Sequence, residues 1–211
     1  MKNDKNTTKI NINPEQIIAI KVYVNSSTDS FTEEEKIEAF DLSTNGFTFQ
    51  LNAILRANLN LSSKVNKYLS TLDSAFSNQQ TTVQQTVYRG CNYQEMLRYL
   101  MNGHYLDLGY MSTSKSADST EKFFQTQNIG YKPAFLKIHI PSQSNVLDLE
   151  MINDFDNSTY EDEILFKRKS LFEVIENRTV GLNYLLEEFD FKLNQDYDEI
   201  QFLELRYSRN L

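Results

Sequence analysis

The sequence predicts an α+β protein in which a helical N-terminal layer packs on a mixed or antiparallel β-sandwich. Three observations lead there. The first 80 residues place their apolar side chains mostly at helical spacing. From Gln85 onward, short apolar runs of strand length dominate. No internal repeat or long linker separates the two regions. A chain of 211 residues is long enough for one well-buried domain and short for two. The expectation is one domain over 1–211, with 1–12 flexible, 13–80 helical and 81–211 forming the sandwich.

The elements follow in order. Pro14 suits the first position of a helix that carries Ile17, Ile18 and Ile20 on its apolar side. Thr32-x-x-Glu35 reads as a capping box ahead of Ile37, Ala39 and Phe40. Val65, Leu69, Leu72 and Phe76 keep helical spacing, with Tyr68 beside them. Expected strands are Thr86 to Arg89, Tyr110 to Thr113, Ala134 to Ile140, Val146 to Leu149, Glu163 to Phe166, Leu171 to Glu176 and Glu199 to Tyr207. Expected helices between them are Tyr93 to Met101 and Ala117 to Gln125. Pro133 and Pro141 bracket the central strand.

Composition narrows the function. A net charge of -8 opposes broad binding to a phosphate backbone, so nucleic acid is not the expected partner. Lys167, Arg168 and Lys169 form the one tight basic run, read as a solvated strand edge. A single cysteine, Cys91, excludes an internal disulfide and a cysteine metal site. Its position suits a small buried residue better than a nucleophile. His104 and His139 lack metal-ligand spacing, so no metal is expected. His139 alternates with Ile138 and Ile140 and should point away from the core. The stretch Met1 to Thr8 is polar and has no apolar signal-peptide core. No later stretch reaches transmembrane length, so no membrane partner is expected. This implies synthesis in the cytoplasm without a signal peptide, and a protein later secreted or injected into a target cell would look the same.

The chemistry concentrates in three short segments. Glu161-Asp162-Glu163 stands at the mouth of the apolar run Ile164-Leu165-Phe166. In an extended chain, residues two apart share a face, so Glu161 and Glu163 would lie side by side. Like charges held together raise one carboxyl pKa, which suits acid/base or cation-stabilising chemistry. Upstream, Thr86-Val87-Tyr88-Arg89-Gly90 reads as a strand ending in an arginine. Gly109-Tyr110-Met111-Ser112-Thr113-Ser114 reads as a strand ending in a hydroxyl cluster.

Arginine, then Ser-Thr-Ser, then Glu-x-Glu, in that order and each at a strand, resembles the R-S-E class of mono-ADP-ribosyltransferases. The similarity is nearest to the enzymatic subunits of bacterial binary toxins that modify actin, and it extends from about Leu51 to Ile175. It implies the same fold, NAD as co-substrate and the bacterial or phage toxin class. The reaction breaks the nicotinamide–ribose bond while the ribose gains cationic character, as a glycoside does.

The resemblance implies a role for each matching residue. Glu163 would bind the nicotinamide-ribose hydroxyl and stabilise the cation. Glu161 accompanies arginine modification in such enzymes, where a carboxylate can hold the acceptor guanidinium and accept its proton. Arg89 would pair with NAD phosphates. Gly90 would let the backbone approach the nicotinamide carboxamide, an ordinary turn being the equal alternative. Ser112 would orient Glu163. Thr113 is a candidate for contact with NAD, although Thr113 and Ser114 suit holding strand ends together. Phe123, with Phe124 as competitor, would lie over the nicotinamide, and Thr126 to Tyr131 resembles the loop that holds phosphate and nicotinamide. Tyr160 or Phe155 would touch the protein substrate. The implied partner is a protein with an exposed arginine, actin being the first guess, and an immunity or antitoxin protein is a second implied partner. Actin-modifying relatives carry an extra domain of the same fold for which this chain has no room. Transfer to nucleic acid, hydrolysis of NAD, and an inactive binding module of the same fold are the other readings.

Overall fold

The computed structural model describes residues 12–25, 47–120, 132–152, 162–189 and 199–211. The capping box expected at Thr32 and Glu35 lies outside them, as do residues 1–11 and the expected helix beyond Thr120.

The first helix, α1 (Pro14–Asn25), opens on Pro14 as expected. Its start is closed by a reciprocal cap that the sequence reading missed. Asn13 Oδ1 accepts from the Gln16 amide at 2.9 Å, and Gln16 Oε1 accepts from the Asn13 amide at 3.2 Å. Helices α2 (Phe47–Arg56) and α3 (Ser63–Ala75) follow, the latter capped by Ser62. Ile20, Tyr23, Leu51, Tyr68, Leu69, Leu72 and Phe76 form one cluster with Leu147, Leu149, Ile152 and Leu165. The helical layer therefore covers one end of the sheet.

The strands are β1 (Gln85–Asn92), β2 (Leu100–Met101), β3 (His104–Asp107), β4 (Met111–Ser114), β5 (Pro133–Ile140), β6 (Val146–Asp148), β7 (Glu163–Phe166), β8 (Ser170–Val180) and β9 (Ile200–Asn210). Among the described residues they hydrogen-bond in the order β2-β3-β8-β9-β5-β1-β4-β7-β6. Among the described residues only β5 and β9 pair in parallel, so the sheet is mixed. Strand β7 lies five places from β8 in that order, roughly 24 Å across a flat sheet. Yet the Phe166 and Phe172 rings are 5.2 Å apart, and Phe166 lies 5.3 Å from Tyr207 of β9. The sheet must fold over on itself, which makes the sandwich. Val87, Leu136, Ile138, Ile164, Phe166, Phe172, Leu203 and Leu205 fill its interior.

A further helix, α5 (Leu182–Phe189), follows the short α4 (Tyr93–Leu97) in helix order and was not anticipated. It packs Leu185 and Phe189 on Phe135, Phe202 and Tyr88. The outer face of the sheet thus has two covers, α1–α3 over the β7 end and α5 over the β9-β5-β1 part.

Several boundaries differ from expectation. The helix expected to run from Tyr93 to Met101 stops at Leu97, and Leu100–Met101 instead pairs with His104 and Tyr105. The turn between them is Asn102-Gly103, with φ of 50° and 77°, a geometry that these two residue types adopt readily. Arg89 does not end its strand, which continues to Asn92, and Gly90 sits inside it opposite Phe135 rather than in a turn. Lys167 to Lys169 is the turn between β7 and β8, not a strand edge, and Arg168 is paired there with Asp73 at 2.7 Å. His139 does lie on the outer face, only partly exposed, with Nε2 against Glu204.

Candidate active site

Strands β4 and β7 run antiparallel, with Ser114 opposite Glu163 and Ser112 opposite Leu165. Opposed residues share a face, so Ser112, Ser114, Glu163 and Leu165 project together towards the helical layer. Met111, Ile164 and Phe166 point into the sandwich. Ser112 and Glu163 are diagonal neighbours on this ladder, close enough for side chains to meet. Ser112 Oγ donates to Glu163 Oε1 at 2.6 Å. This is the short, charge-assisted kind of hydrogen bond that fixes a carboxylate's orientation.

Strands β1 and β4 are paired at Tyr88 and Ser114. Tyr88 faces α5, while Ser112 and Ser114 face the α1–α3 layer, so this pair marks where one cover gives way to the other. Arg89 follows immediately. Its Nη1 donates to the backbone carbonyl of Ser112 at 2.5 Å. One strand carbonyl therefore links the guanidinium to the residue that holds Glu163. Arg89, Ser112 and Glu163, predicted from three separate segments, come together here.

Thr113 has a different part. It is 4% exposed, and its hydroxyl donates to the Ile164 carbonyl at 2.7 Å. It locks β4 to β7, the strand-holding part that its place in the hydroxyl cluster suggested. Ser114 Oγ accepts from the Ser116 amide and supports the turn after β4. Cys91 is partly exposed, with Sγ 3.3 Å from Met96 Sδ, and acts as packing.

The acidic triplet also differs in backbone. Asp162 has a φ of 71°, and β7 begins only at Glu163. The extended geometry expected to place Glu161 and Glu163 side by side is broken at Asp162, a residue type that tolerates this left-handed conformation. Glu161, Phe123, Tyr160 and Phe155 lie outside the described residues, as do Phe124 and the stretch Thr126 to Tyr131.

Two groups of residues around the site escaped the sequence reading. One is Lys115, whose amide donates to the Asp162 carbonyl at 2.7 Å. Its Nζ lies 2.9 Å from Asp148 and 2.8 Å from Glu150. Burial would lower the ammonium pKa, but the hydrogen bonds that it donates to Glu150 and Asp148 outweigh it, so Lys115 stays charged. The other is the polar seam beneath β4. Asn52 Oδ1 accepts from the Tyr110 amide at 2.9 Å, and Asn52 Nδ2 donates to the Tyr23 hydroxyl at 2.8 Å. Arg56 grips Asp107 through two bonds of 3.0 and 3.1 Å. Only Gly109, next to Tyr110, hinted at this close approach in the sequence.

Comparison with known proteins places this geometry. Residues 5–199 match the model of the ADP-ribosyltransferase exoenzyme family, a wider span than the Leu51 to Ile175 expected from the motifs. Among solved structures, the C3 exoenzyme of Clostridium limosum is similar with a TM-score of 0.59 and 16% identity, covering 98% of this chain and 90% of that one. Plx2a, an ADP-ribosyltransferase toxin from Paenibacillus larvae, gives 0.54 and 16%, covering 92% and 94%. The enzymatic component C2-I of the Clostridium botulinum C2 toxin gives 0.60 and 14%, covering 95% of this chain but 44% of that one. No curated protein matches in sequence. The family match spans most of the chain. The chain belongs to the ADP-ribosyltransferase exoenzyme family, the toxin-type transferases that use NAD as co-substrate.

Proposed function

We propose that this protein is a mono-ADP-ribosyltransferase that transfers ADP-ribose from NAD to an arginine side chain of a target protein, with actin the first acceptor to test. The observation that carries the reading is the Ser112–Glu163 hydrogen bond beside Arg89. The donor set suits NAD. A planar guanidinium matches phosphate oxygens, and a carboxylate held by a serine can accept from a ribose hydroxyl. A fixed negative charge next to a ribose stabilises cationic character there, most strongly where water is excluded.

The bond that breaks joins nicotinamide nitrogen to the ribose, and its electron pair leaves with neutral nicotinamide. The bond that forms joins the same ribose carbon to a guanidinium nitrogen of the acceptor. Glu161 takes the proton that this nitrogen loses. Glu163 stabilises the ribose throughout, Ser112 orients Glu163, and Arg89 holds phosphate. Gly90, inside β1, allows backbone approach at the nicotinamide end. Phe123 covers the nicotinamide, and Tyr160 or Phe155 meets the acceptor protein. All these residues fall within one domain spanning 1–211.

The roles separate in two variants. Glu163→Ala should abolish both nicotinamide release and protein labelling. Glu161→Gln should lose arginine labelling and keep much of the nicotinamide release, measured with the same enzyme and labelled NAD. Equal loss of both activities in Glu161→Gln would contradict the assignment.

A further inference from the structure

The basic run Lys167-Arg168-Lys169 takes no part in the site, and the fold makes it part of a larger positive patch. The run is the turn from β7 to β8, and the end of β9 lies beside it. The Leu211 amide donates to the Lys169 carbonyl at 3.0 Å, and Asn210, next to Arg209, pairs with Ser170. On the other side, Asp107 of β3 pairs with Ser170. The Leu106 amide donates to the carbonyl of Tyr99, which follows Arg98. Three strand spacings separate β2 from β9, so Arg98, Lys169 and Arg209 lie along one end of the β2-β3-β8-β9 layer, within about 15 Å.

Charge is lopsided at this end. Asp73 and Asp107 are already held there, by Arg168 at 2.7 Å and by Arg56 at 3.0 Å. Arg98, Lys167, Lys169 and Arg209 have no ion-pair partner among the described residues, and all but the half-buried Lys167 are exposed. The whole chain carries a charge of -8, so this end has the opposite sign to the molecule and turns towards anionic surfaces. Two leucines accompany the cations. Leu97, 49% exposed, precedes Arg98. Leu59, 61% exposed, closes the turn after α2, whose Arg56 carbonyl accepts from the Tyr99 hydroxyl at 2.6 Å. An acidic protein would match the cations but would need a pocket for each leucine. The interfacial layer of an anionic bilayer takes cations and exposed apolar side chains together. Glu163 opens β7 and Lys167 follows its far end, about 13 Å along the strand, so contact at the patch leaves the Ser112–Glu163 pair free.

We propose that this end of the sheet is a docking surface for an anionic lipid bilayer, with Arg98, Lys167, Lys169 and Arg209 on the headgroups and Leu97 and Leu59 in the interface. The contact is peripheral and needs no spanning segment; among the described residues no helix is long and apolar enough to cross a membrane. It does not depend on which molecule accepts ADP-ribose.

The test sediments the purified chain with vesicles of mixed phosphatidylserine and phosphatidylcholine, and with vesicles of phosphatidylcholine alone, at low and high salt. One variant neutralises the patch: Lys167→Gln, Lys169→Asn and Arg209→Gln together, asparagine being a residue type that tolerates the φ of 62° at position 169. A second, Leu97→Ser, leaves the charge unchanged. The unaltered chain should sediment with the anionic vesicles only. Its partition should fall more than about tenfold in the triple variant and at high salt, because each cation near such a surface adds to the attraction. Leu97→Ser should lower it about threefold. Melting temperature is measured alongside; if the triple variant is unfolded, the salt dependence and Leu97→Ser decide. No sedimentation with either vesicle, equal sedimentation with both, or an unchanged partition in a folded triple variant overturns the proposal. Binding to poly-glutamate without binding to vesicles also overturns it and makes the patch a contact for an acidic protein.

Discussion

In the proposed reaction Glu163 stabilises a ribose cation only while its carboxylate is held, and Ser112 Oγ donates to that carboxylate at 2.6 Å. Ser112→Ala removes that bond without disturbing the β4–β7 ladder, because Thr113 supplies the lock to Ile164. The expected result is about a tenfold fall in the rate of nicotinamide release, with thermal stability kept. A large drop in melting temperature instead would make Ser112 a packing residue. The types and order of Arg89, Ser112 and Glu163 were legible in the sequence. Their meeting was not, because it depends on a register that puts Ser112 diagonal to Glu163. The same limit explains Thr113. It was expected to hold strand ends together, and only the register shows that its partner is the Ile164 carbonyl. The turn at Asp162 was equally hidden, since an acidic residue before an apolar strand reads as extended chain.

The helical layer positions β4, and through it Ser112, by a seam of buried polar groups. Gly109 is the tight point. A Cβ there would stand 2.7 Å from Asn52 Oδ1 and 3.3 Å from Arg56 Cζ. Asn52 cannot swing aside without losing its bonds to the Tyr110 amide and the Tyr23 hydroxyl. Gly109→Ala should therefore destabilise the fold by about 1–3 kcal/mol, measured by denaturant unfolding. A neutral substitution would show that the seam yields. The sequence disclosed some of the long elements, but not α2, and it ended β8 at Glu176 instead of Val180. Helix α3 had clear apolar spacing, α1 was marked by Pro14, and β5 was bracketed by prolines. Short elements were harder. Tyr93 to Met101 has the composition of a helix throughout, and the Asn102-Gly103 pair was the signal that a hairpin begins there. Leu182 to Phe189 is a short apolar run, which periodicity alone cannot assign.

Across the whole molecule, tyrosines bury deeply in both the helical layer and the sandwich. Burial pushes the Tyr23 hydroxyl up to about 12, and raises Tyr68, Tyr105 and Tyr110 well above their ordinary value of 10.0. The folded chain keeps these protons at a pH where the unfolded chain loses them. Their contribution to stability is complete below pH 10 and is lost as the pH rises through the folded values. Melting temperature should fall steeply between about pH 10 and 12. A flat profile would mean that these hydroxyls ionise in place. The class of fold was readable from helices followed by strands, and so was the mixed sheet. The sandwich was expected too, but not which residues meet across it, such as Phe166 of β7 and Phe172 of β8, because contacts across a sandwich leave no local pattern.

The central claim is that Glu163, oriented by Ser112, drives ADP-ribosyl transfer to protein. The most direct measurement incubates purified protein and its Glu163→Ala variant with labelled NAD and a eukaryotic cell lysate. Labelled protein bands with the unaltered chain that vanish with Glu163→Ala are the predicted result, and mass spectrometry of a band would identify the modified arginine. Labelling that persists in Glu163→Ala, or no turnover of NAD by the unaltered chain, would contradict it.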